Sequence, residues 1–257
     1  MEDAGGRRDR KREQEEDDDF VCLDPSFFMN RNYEMKTFTY GSQELQLLCL
    51  SSACTDYDLT GQLVWPGAVL MNTYLSEHPE TVKGRSLIEL GSGIGITGIL
   101  CSRFCKEVVL TDHNDEVLEI IKKNIEMQSS SGNADGVLTA EKLEWGNHDH
   151  LSDIIENHPV GFDLILGADI YILLTFLCSC ESFQQASIPC LFDTVEKLLR
   201  MQSNKCRFIL AYVSRTKAMD ALVVKEAEKR GMLVEEVAGT RTSITDLEGV
   251  IFDITLK

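Results

Sequence analysis

The chain has 257 residues, of which 43% are hydrophobic and 26% are charged, so it can build a globular core and is not disordered throughout. Its formal net charge of −17 disfavours broad binding to nucleic acid, because a protein that coats phosphate groups carries the opposite sign. The longest apolar run, residues 170–178, is too short to cross a membrane, which takes about 20 apolar residues.

Residues 1–19 form a charged segment with no aromatic or large aliphatic residue after Met1. Such a composition cannot bury a core, so we expect a disordered tail followed by one domain over residues 20–257. The tail lacks the apolar stretch of a secretion signal, and we expect a cytoplasmic protein. The basic run over residues 7–12 is a candidate nuclear address, although a solvated block of charge explains it as well.

The nine cysteines are expected to be reduced thiols, because disulfides are rare in the cytoplasm and nucleus. Cys101 and Cys105 are four residues apart and Cys178 and Cys180 are two apart, so neither pair forms a CxxC motif. No histidine stands at zinc-ligand spacing from them. We therefore expect buried thiols and no metal site.

Alternating polar and apolar residues between 20 and 60 predict a small β-hairpin that turns near Gly41, and Trp65-Pro66 predicts the start of a helix that runs to about Ser76. Strands and helices then alternate. Strands are predicted over 86–90, 107–112, 138–145, 162–169, 206–213, 232–237 and 249–256, and helices over 94–104, 115–127, 149–157, 188–201 and 216–230. This alternation predicts a doubly wound α/β fold, with helices on both faces of a parallel sheet and an antiparallel pair at its end.

The turn Gly91-Ser92-Gly93-Ile94-Gly95 follows the buried strand over 86–90 and precedes a helix, where glycines let a ligand approach the backbone. Counted from Gly91, the turn lacks the GxGxxG spacing of dinucleotide-binding proteins, although Gly98 lies further along the helix. The strand also ends in Glu89, and a carboxylate there suits a cationic ligand better than a pyrophosphate.

Two further residues follow the next two strands. Asp112 ends the second strand about twenty residues after the turn, a position from which an acid can bind two ribose hydroxyls. The alternative role, a cap for the following helix, fits Asp115 better because Asp115 directly precedes that helix. Trp145 follows the third strand, where its indole can lie against an adenine ring or belong to the core.

Five segments resemble a known family: LVWPGA (63–68), ELGSGIG (89–95), LTDHN (110–114), LEWG (143–146) and LILGAD (164–169). They resemble the class I, seven-strand S-adenosylmethionine-dependent methyltransferases, and within that class the methyltransferase-like protein-lysine methyltransferases. The resemblance implies a Rossmann-like sheet with strand order 3-2-1-4-5-7-6 and an antiparallel last strand, preceded by the hairpin extension over 20–60.

The resemblance also implies S-adenosylmethionine as the cofactor and a set of cofactor-binding residues near the strand ends: Trp65, Glu89, Gly91, Ser92, Gly93, Asp112, Trp145 and Ala168. Trp65 would flank the pocket, Asp112 would bind the ribose and Trp145 would cover the adenine. Ala168 would present its backbone near the sulfonium, and the other residues would line the methionine and ribose side.

Asp169 is implied to be the catalytic residue. Methyl transfer from a sulfonium is a direct displacement that needs no metal, so the protein must align the reacting atoms and keep the lysine amine neutral. An acid at Asp169 can attract the ammonium and then orient the free amine, while a structural capping role is the alternative. The family pattern then continues with two residues and an aromatic, but here Tyr171 stands one position early and residues 170–182 are unusually apolar.

Three other functions are weighed. A nucleic-acid amino methyltransferase usually carries Asn/Asp-Pro-Pro-aromatic after the fourth strand, which Ala168-Asp169-Ile170 does not match. A small-molecule methyltransferase would share the same cofactor half, and a non-catalytic cofactor-binding protein would result if residues 170–182 block the site. We expect a monomer that acts on a protein lysine, with a basic surface on the partner, and that binds neither nucleic acid nor membrane.

Overall fold

A computed structural model describes residues 33–50, 61–131, 136–170, 181–202, 205–244 and 246–257. These residues belong to one compact unit, Asn32–Lys257. The predicted tail over 1–19 lies outside the described residues, as do both ends of the predicted extension over 20–60 and Tyr171. Within the described ranges, no helix combines the length and the apolar character needed to span a bilayer.

The described residues form two sheets and six α-helices. The strands are β1 (Tyr33–Tyr40), β2 (Gln43–Leu50), β3 (Ser86–Leu90), β4 (Glu107–Asp112), β5 (Val137–Lys142), β6 (Leu164–Ala168), β7 (Arg207–Val213), β8 (Met232–Glu236), β9 (Thr242–Ile244) and β10 (Leu247–Leu256). The helices are α1 (Pro66–Glu77), α2 (Ile96–Cys101), α3 (Asp115–Ser131), α4 (His148–Asn157), α5 (Glu181–Met201) and α6 (Lys217–Lys229).

The larger sheet has the order β5-β4-β3-β6-β7-β10-β8, with β9 paired to β10. Counted from β3 without β9, this is the expected order 3-2-1-4-5-7-6. Strands β3 to β7 are parallel, and β10 runs antiparallel between β7 and β8. The fold prediction is confirmed, and β3 lies at the centre of the sheet with its carboxyl end beside those of β4 and β6.

The sheet is covered on both faces because its central strands are apolar at almost every position. Leu87 and Leu110 belong to one buried cluster, together with residues of α1, α2 and α3. Ile88 and Val109 belong to a second cluster on the opposite face, together with residues of α4, α5 and α6. Successive strand residues point to opposite faces, so each strand supplies both clusters.

The predicted hairpin is β1 and β2, which pair antiparallel from Tyr33–Leu50 to Tyr40–Gln43 around a turn at Gly41. Two side chains of α3 hold β2 against the body of the molecule. Asn124 accepts a hydrogen bond from the Leu48 N–H (2.8 Å) and donates one to the Leu48 carbonyl (3.2 Å). Gln128 donates to the Gln46 carbonyl (3.1 Å). These bonds satisfy backbone groups on β2 that do not face β1.

Three helices differ by several residues from their predicted bounds, and one of them, α3, extends to Ser131 instead of residue 127. The helix predicted over 94–104 spans only Ile96–Cys101, because Gly95 has a φ of +83° and precedes the first turn. The helix predicted to begin at Ile188 begins at Glu181, so that Pro189 lies inside it. Proline suits a first turn, which is why the sequence pattern placed the start too late.

Three smaller features also differ. The strand predicted over 138–145 ends at Lys142, so Trp145 stands in the following turn, and β9 lies in a segment predicted to be a connection. The helix cap assigned to Asp115 is wrong. Asn114 is the cap of α3, since its Oδ1 accepts hydrogen bonds from the N–H groups of Glu116 (2.9 Å) and Val117 (3.2 Å). Asp115 instead pairs with Lys142 at 2.7 Å.

Candidate active site

A cavity of about 460 Å³ lies at the carboxyl ends of β3, β4 and β6. Its wall brings together all nine residues singled out from the sequence: Trp65, Glu89, Gly91, Ser92, Gly93, Asp112, Trp145, Ala168 and Asp169. A ligand site at this edge is expected of a doubly wound sheet, because β3 and β6 are the neighbours between which the strand order reverses.

Two glycines of the turn, Gly91 and Gly93, stand where a side chain has no room. Gly91 has a φ of +61°, and a Cβ atom there would lie 3.1 Å from Ile170 Cγ2 and 3.2 Å from Trp145 Cζ2. Gly93 has a φ of +55°, and its Cβ would lie 2.5 Å from the carbonyl oxygen of Gly61. Both positions combine a left-handed backbone with close neighbours, so only glycine fits.

Ser92 fixes the turn to the sheet. Its N–H donates to the Thr111 carbonyl (2.8 Å), and its Oγ accepts a hydrogen bond from the Thr111 N–H (3.0 Å). The Thr111 hydroxyl donates to the carbonyl of Glu89 (2.7 Å). The ends of β3 and β4 are therefore tied together directly beneath the cavity.

Glu89 is a buried acid in the cavity wall. Its Oε2 accepts a hydrogen bond from the N–H of Gly98 in α2 (2.9 Å). Burial raises the pKa of Glu89 from 4.5 to about 7, the Gly98 bond opposes that rise, and the charge of Asp112 adds to it. A group in this state gains from a cationic neighbour, because a positive charge would favour the carboxylate.

Asp112 is held by backbone groups on two sides. Its Oδ2 accepts from the Gly93 N–H (3.2 Å) and its Oδ1 from the Asn114 N–H (3.1 Å). The His113 Nδ1 lies 3.2 Å from the same Oδ1. These contacts fix the carboxylate at the cavity wall, and Oδ2, which accepts one hydrogen bond, keeps a second lone pair for a ligand.

Trp145 lies between the core and the cavity. The side chain is half-buried and packs against the apolar cluster on the α4–α5 face, and it also lines the cavity. The turn around it is anchored to α5, because the Gly146 N–H donates to the Thr194 hydroxyl (3.1 Å). The indole is thus a fixed wall of the cavity.

Asp169 follows Ala168 at the end of β6 and has a φ of +56°, an uncommon value for a residue with a side chain. It is 6% exposed. Its Oδ2 accepts a hydrogen bond from the N–H of Gly67 in the first turn of α1 (2.7 Å) and lies 3.5 Å from the Arg215 Nη2. Burial raises the pKa of Asp169 to about 6, while the Gly67 bond and the Arg215 charge oppose the rise.

The sequence of a known family extends over most of this fold. A sequence model described as "Lysine methyltransferase" matches residues 48–229. The chain belongs to this lysine methyltransferase family. The match includes every residue of the cavity wall.

Individual relatives agree with the family. The chain is 26% identical over 196 residues to the protein N-terminal and lysine N-methyltransferase efm7 of Neurospora crassa, which covers 72% of this chain and 65% of the relative. It is 31% identical over 137 residues to the protein N-lysine methyltransferase METTL21A of Danio rerio, in a match that covers 53% of this chain and 54% of the relative. It is 38% identical over 110 residues to the EEF1A lysine methyltransferase 3 of Xenopus tropicalis, in a match that covers 43% of this chain and 45% of the relative. Each match spans less than two thirds of the relative's own length.

Solved structures show the same fold at low sequence identity. The T. thermophilus 16S rRNA N2 G1207 methyltransferase RsmC, in complex with AdoMet and guanosine, has a TM-score of 0.57 at 17% identity, over 89% of this chain and 52% of that one. The Synechocystis magnesium protoporphyrin IX methyltransferase ChlM with bound SAM has a TM-score of 0.52 at 12% identity, over 75% of this chain and 80% of that one. At these identities the likeness establishes the architecture of this family member and nothing about its substrate.

Sequence reasoning missed several residues of the site. Gly61, Ile170 and Cys190 line the cavity, and Arg215 contacts Asp169. Gly61 precedes the LVWPGA segment by only two residues, and that proximity was a usable signal. No sequence signal marks Arg215, because it lies 46 positions after Asp169 and no motif surrounds it. Cys190 is half-buried, whereas the other four cysteines of the described ranges are buried, and all five are free thiols.

Proposed function

We propose that this chain is an S-adenosylmethionine-dependent protein-lysine N-methyltransferase. One observation carries the proposal: in a chain of the lysine methyltransferase family, a single cavity joins residues 91–94 of the glycine turn, Asp112, Trp145 and Asp169. The cavity combines places for a nucleoside, a cationic group and an incoming amine.

The residues of the cavity fit this cofactor. Its volume of about 460 Å³ lies within the roughly 300–1,000 Å³ of small-molecule sites. Gly91 and Gly93 present bare backbone, Asp112 offers carboxylate lone pairs for ribose hydroxyls, and Trp145 offers an aromatic face for adenine. Glu89 adds a buried acid that a positive charge would favour in its ionised form.

The bound cofactor supplies a methyl group on a sulfonium, which an amine can displace directly. Trp65 and Ala168 line the same cavity and would flank the reacting groups. Asp169 attracts the substrate ammonium and orients the free amine. With a pKa of about 6, its carboxyl group is mainly ionised at neutral pH.

The substrate is a protein lysine, and the partner surface around it is basic. The names of the relatives support a protein substrate, and the charge of −17 supports a basic one. We retain a monomer in the cytoplasm or nucleus, without nucleic-acid or membrane partners, as part of the proposal. A small-molecule methyltransferase would have the same cofactor cavity, so an experiment must separate the two.

The cofactor site is tested by Asp112→Ala. Removing the carboxylate should weaken binding of the product S-adenosylhomocysteine by about tenfold or more, since hydrogen bonds to a charged group contribute roughly 1.5–3 kcal/mol. Asp115→Ala is a matched control, because Asp115 is exposed and pairs with Lys142 instead. Isothermal titration of both variants measures the effect. Wild-type affinity in Asp112→Ala would refute this site.

The substrate is tested by adding methyl-labelled S-adenosylmethionine and the protein to cell extract. Label should appear on a protein band, and it should disappear with Asp169→Ala although cofactor affinity stays nearly unchanged. Label on a small metabolite alone would overturn the lysine substrate. A second chain that lacks residues 171–180 tests the non-catalytic alternative, because label that appears only after the deletion would mean that this segment disables the site.

A further inference from the structure

We propose that Arg215 keeps the substrate lysine reactive by neutralising Asp169, so that the lysine ammonium loses its proton before methyl transfer. The inference rests on the proposed function and adds a residue to it. Arg215 acts through Asp169 and does not line the cavity, so it is a positioning residue rather than a catalytic one.

Arg215 lies in the connection between β7 and α6. Its side chain is 14% exposed and its Nη2 is 3.5 Å from the Oδ2 of Asp169, whose own side chain is 2% exposed. A buried charge is costly unless an opposite charge compensates it. The two residues therefore form a pair with no net charge at the wall of the cavity.

The position of Asp169 does not depend on Arg215. The Asp169 N–H donates to the Ala211 carbonyl (3.0 Å), and its Oδ2 accepts the Gly67 N–H at 2.7 Å. A structural arginine–carboxylate bridge has two parallel contacts of about 2.7–2.9 Å, whereas Arg215 makes one contact at 3.5 Å. The contribution of Arg215 is therefore its charge and not the geometry of a bridge.

In the described part of the chain, the other titratable groups beside this pair and in the cavity wall are mainly acids, and His113 lies with its Nδ1 3.2 Å from Asp112. In α6, Asp220 accepts hydrogen bonds from the Tyr212 hydroxyl (2.7 Å) and the Ser214 hydroxyl (2.9 Å). Glu89 and Asp112 lie in the wall of the same cavity. From α1, the Gly67 N–H supplies a dipole without a full charge. Loss of Arg215 would therefore leave an acidic pocket around the substrate amine.

An uncompensated carboxylate would oppose the reaction. A nearby opposite charge favours the charged form of an amine, so Asp169 alone would raise the pKa of the lysine above its ordinary value of about 10.4. Only the neutral amine has a lone pair to attack. That lone pair forms the new N–C bond, the methyl–sulfur bond breaks with its electrons left on sulfur, and the proton lost beforehand goes to water. Arg215 offsets the pull of Asp169 on that proton.

The test compares wild type, Arg215→Met and Arg215→Lys by the pH dependence of kcat, with the protein band labelled in the extract experiment as the substrate. The acid limb of kcat reports the pKa of the bound complex. It should lie no higher than the ordinary lysine value of about 10.4 in the wild type, and about one unit or more above the wild-type limb in Arg215→Met. The KM of Arg215→Met should not rise, because an unneutralised Asp169 still attracts the ammonium. Arg215→Lys should restore the wild-type limb.

Each other outcome overturns the inference. A lower kcat at every pH with an unmoved limb would mean a structural role for Arg215. A wild-type limb clearly above 10.4 would show that Arg215 does not offset the charge of Asp169, and this measurement tests the inference even if Arg215→Met fails to fold in a thermal melt. Absence of protein methylation by wild type would instead refute the proposed function itself.

Discussion

Glu89 is a carboxyl group whose environment opposes its ionised form. It is fully enclosed at the end of β3, near a second acid, and one backbone N–H donates to it. Its pKa is about 7 in the folded chain, against 4.5 for an ordinary glutamate. As pH rises, the unfolded chain loses this proton first, so ionisation of Glu89 favours unfolding between pH 4.5 and 7.

The prediction concerns Glu89→Gln, which stays neutral at every pH and keeps an oxygen for the Gly98 N–H. Near pH 4.5 the variant and the wild type should differ little in free energy of unfolding. By pH 8 the variant should be the more stable by roughly 3 kcal/mol, the value of a shift of about 2.5 pKa units. Urea unfolding at both pH values measures the difference. A pH-independent difference would show that burial does not raise this pKa.

Some residues of the candidate site can be predicted from the sequence and others cannot. The glycine turn, Asp112 and Trp145 each follow a predicted strand, so their shared edge of the sheet follows from topology. Arg215 does not follow from it, because a 3.5 Å contact with Asp169 depends on how the chain turns after β7. The hydrogen bond between Gly67 and Asp169 joins residues 102 positions apart and is equally invisible in a single sequence.

The first turn of α1 depends on Asp169, the candidate catalytic residue, for a hydrogen-bond partner. The first N–H groups of a helix have no partner within it, and Asp169 satisfies that of Gly67 from another part of the fold. The fit is tight, since a Cβ on Gly67 would lie 2.8 Å from Asp169 Cβ. The structural role considered for Asp169 is therefore real, and it coexists with a place in the cavity wall.

Two substitutions separate those roles. Asp169→Asn keeps an oxygen for the Gly67 N–H but removes the charge, whereas Asp169→Ala removes both. Asp169→Ala should lower the free energy of unfolding by about 1–3 kcal/mol, because a buried N–H loses its partner, and Asp169→Asn by less. Both should lose methylation. Thermal or urea unfolding, alongside the labelling assay, gives the two readouts. Activity retained in Asp169→Asn would mean that Asp169 serves only α1.

Elements were predicted where apolar patterning is strong and missed where it is weak. All strands of the sheet from β3 to β8, and β10, lie within a few residues of their predicted bounds. The exception is β9, where three residues pair with β10 in a polar segment that carries no alternating pattern. The predicted starts of α2 and α5 were wrong for backbone reasons. Gly95 adopts a left-handed conformation before α2, and Pro189 lies inside α5. Composition does not distinguish either case from an ordinary helix end.

The whole molecule carries a net charge of −17, and its effect reaches further than any one contact. A field of one sign speeds the encounter with a partner of the opposite sign, and salt screens it. The strand order came from the family resemblance, since periodicity alone gives strands and not their neighbours. Charge, in contrast, follows directly from composition.

The prediction is that kcat/KM for the labelled protein substrate falls as ionic strength rises from about 0.01 to 0.15 M, where the Debye length shrinks from about 30 to 8 Å. The affinity for S-adenosylhomocysteine should change less, because its proposed site is a cavity lined by buried groups and not an exposed surface. Initial rates and titrations in the same buffers provide the comparison. A kcat/KM that is constant or increases with salt would exclude a basic partner surface.

The position of β10 has a consequence for synthesis on the ribosome. In the described part of the chain, β8 joins the sheet only through β10, and β10 also covers the edge of β7. Until residues 247–256 emerge, the nascent chain presents β7 as an open, apolar edge, and α6 and β8 have no strand to close against. The cofactor half, β3 to β6, is complete long before that moment. Assembly of this fold therefore separates into an early half, β3 to β6, that can pair during translation and a late half whose sheet edge stays open until β10 is inserted.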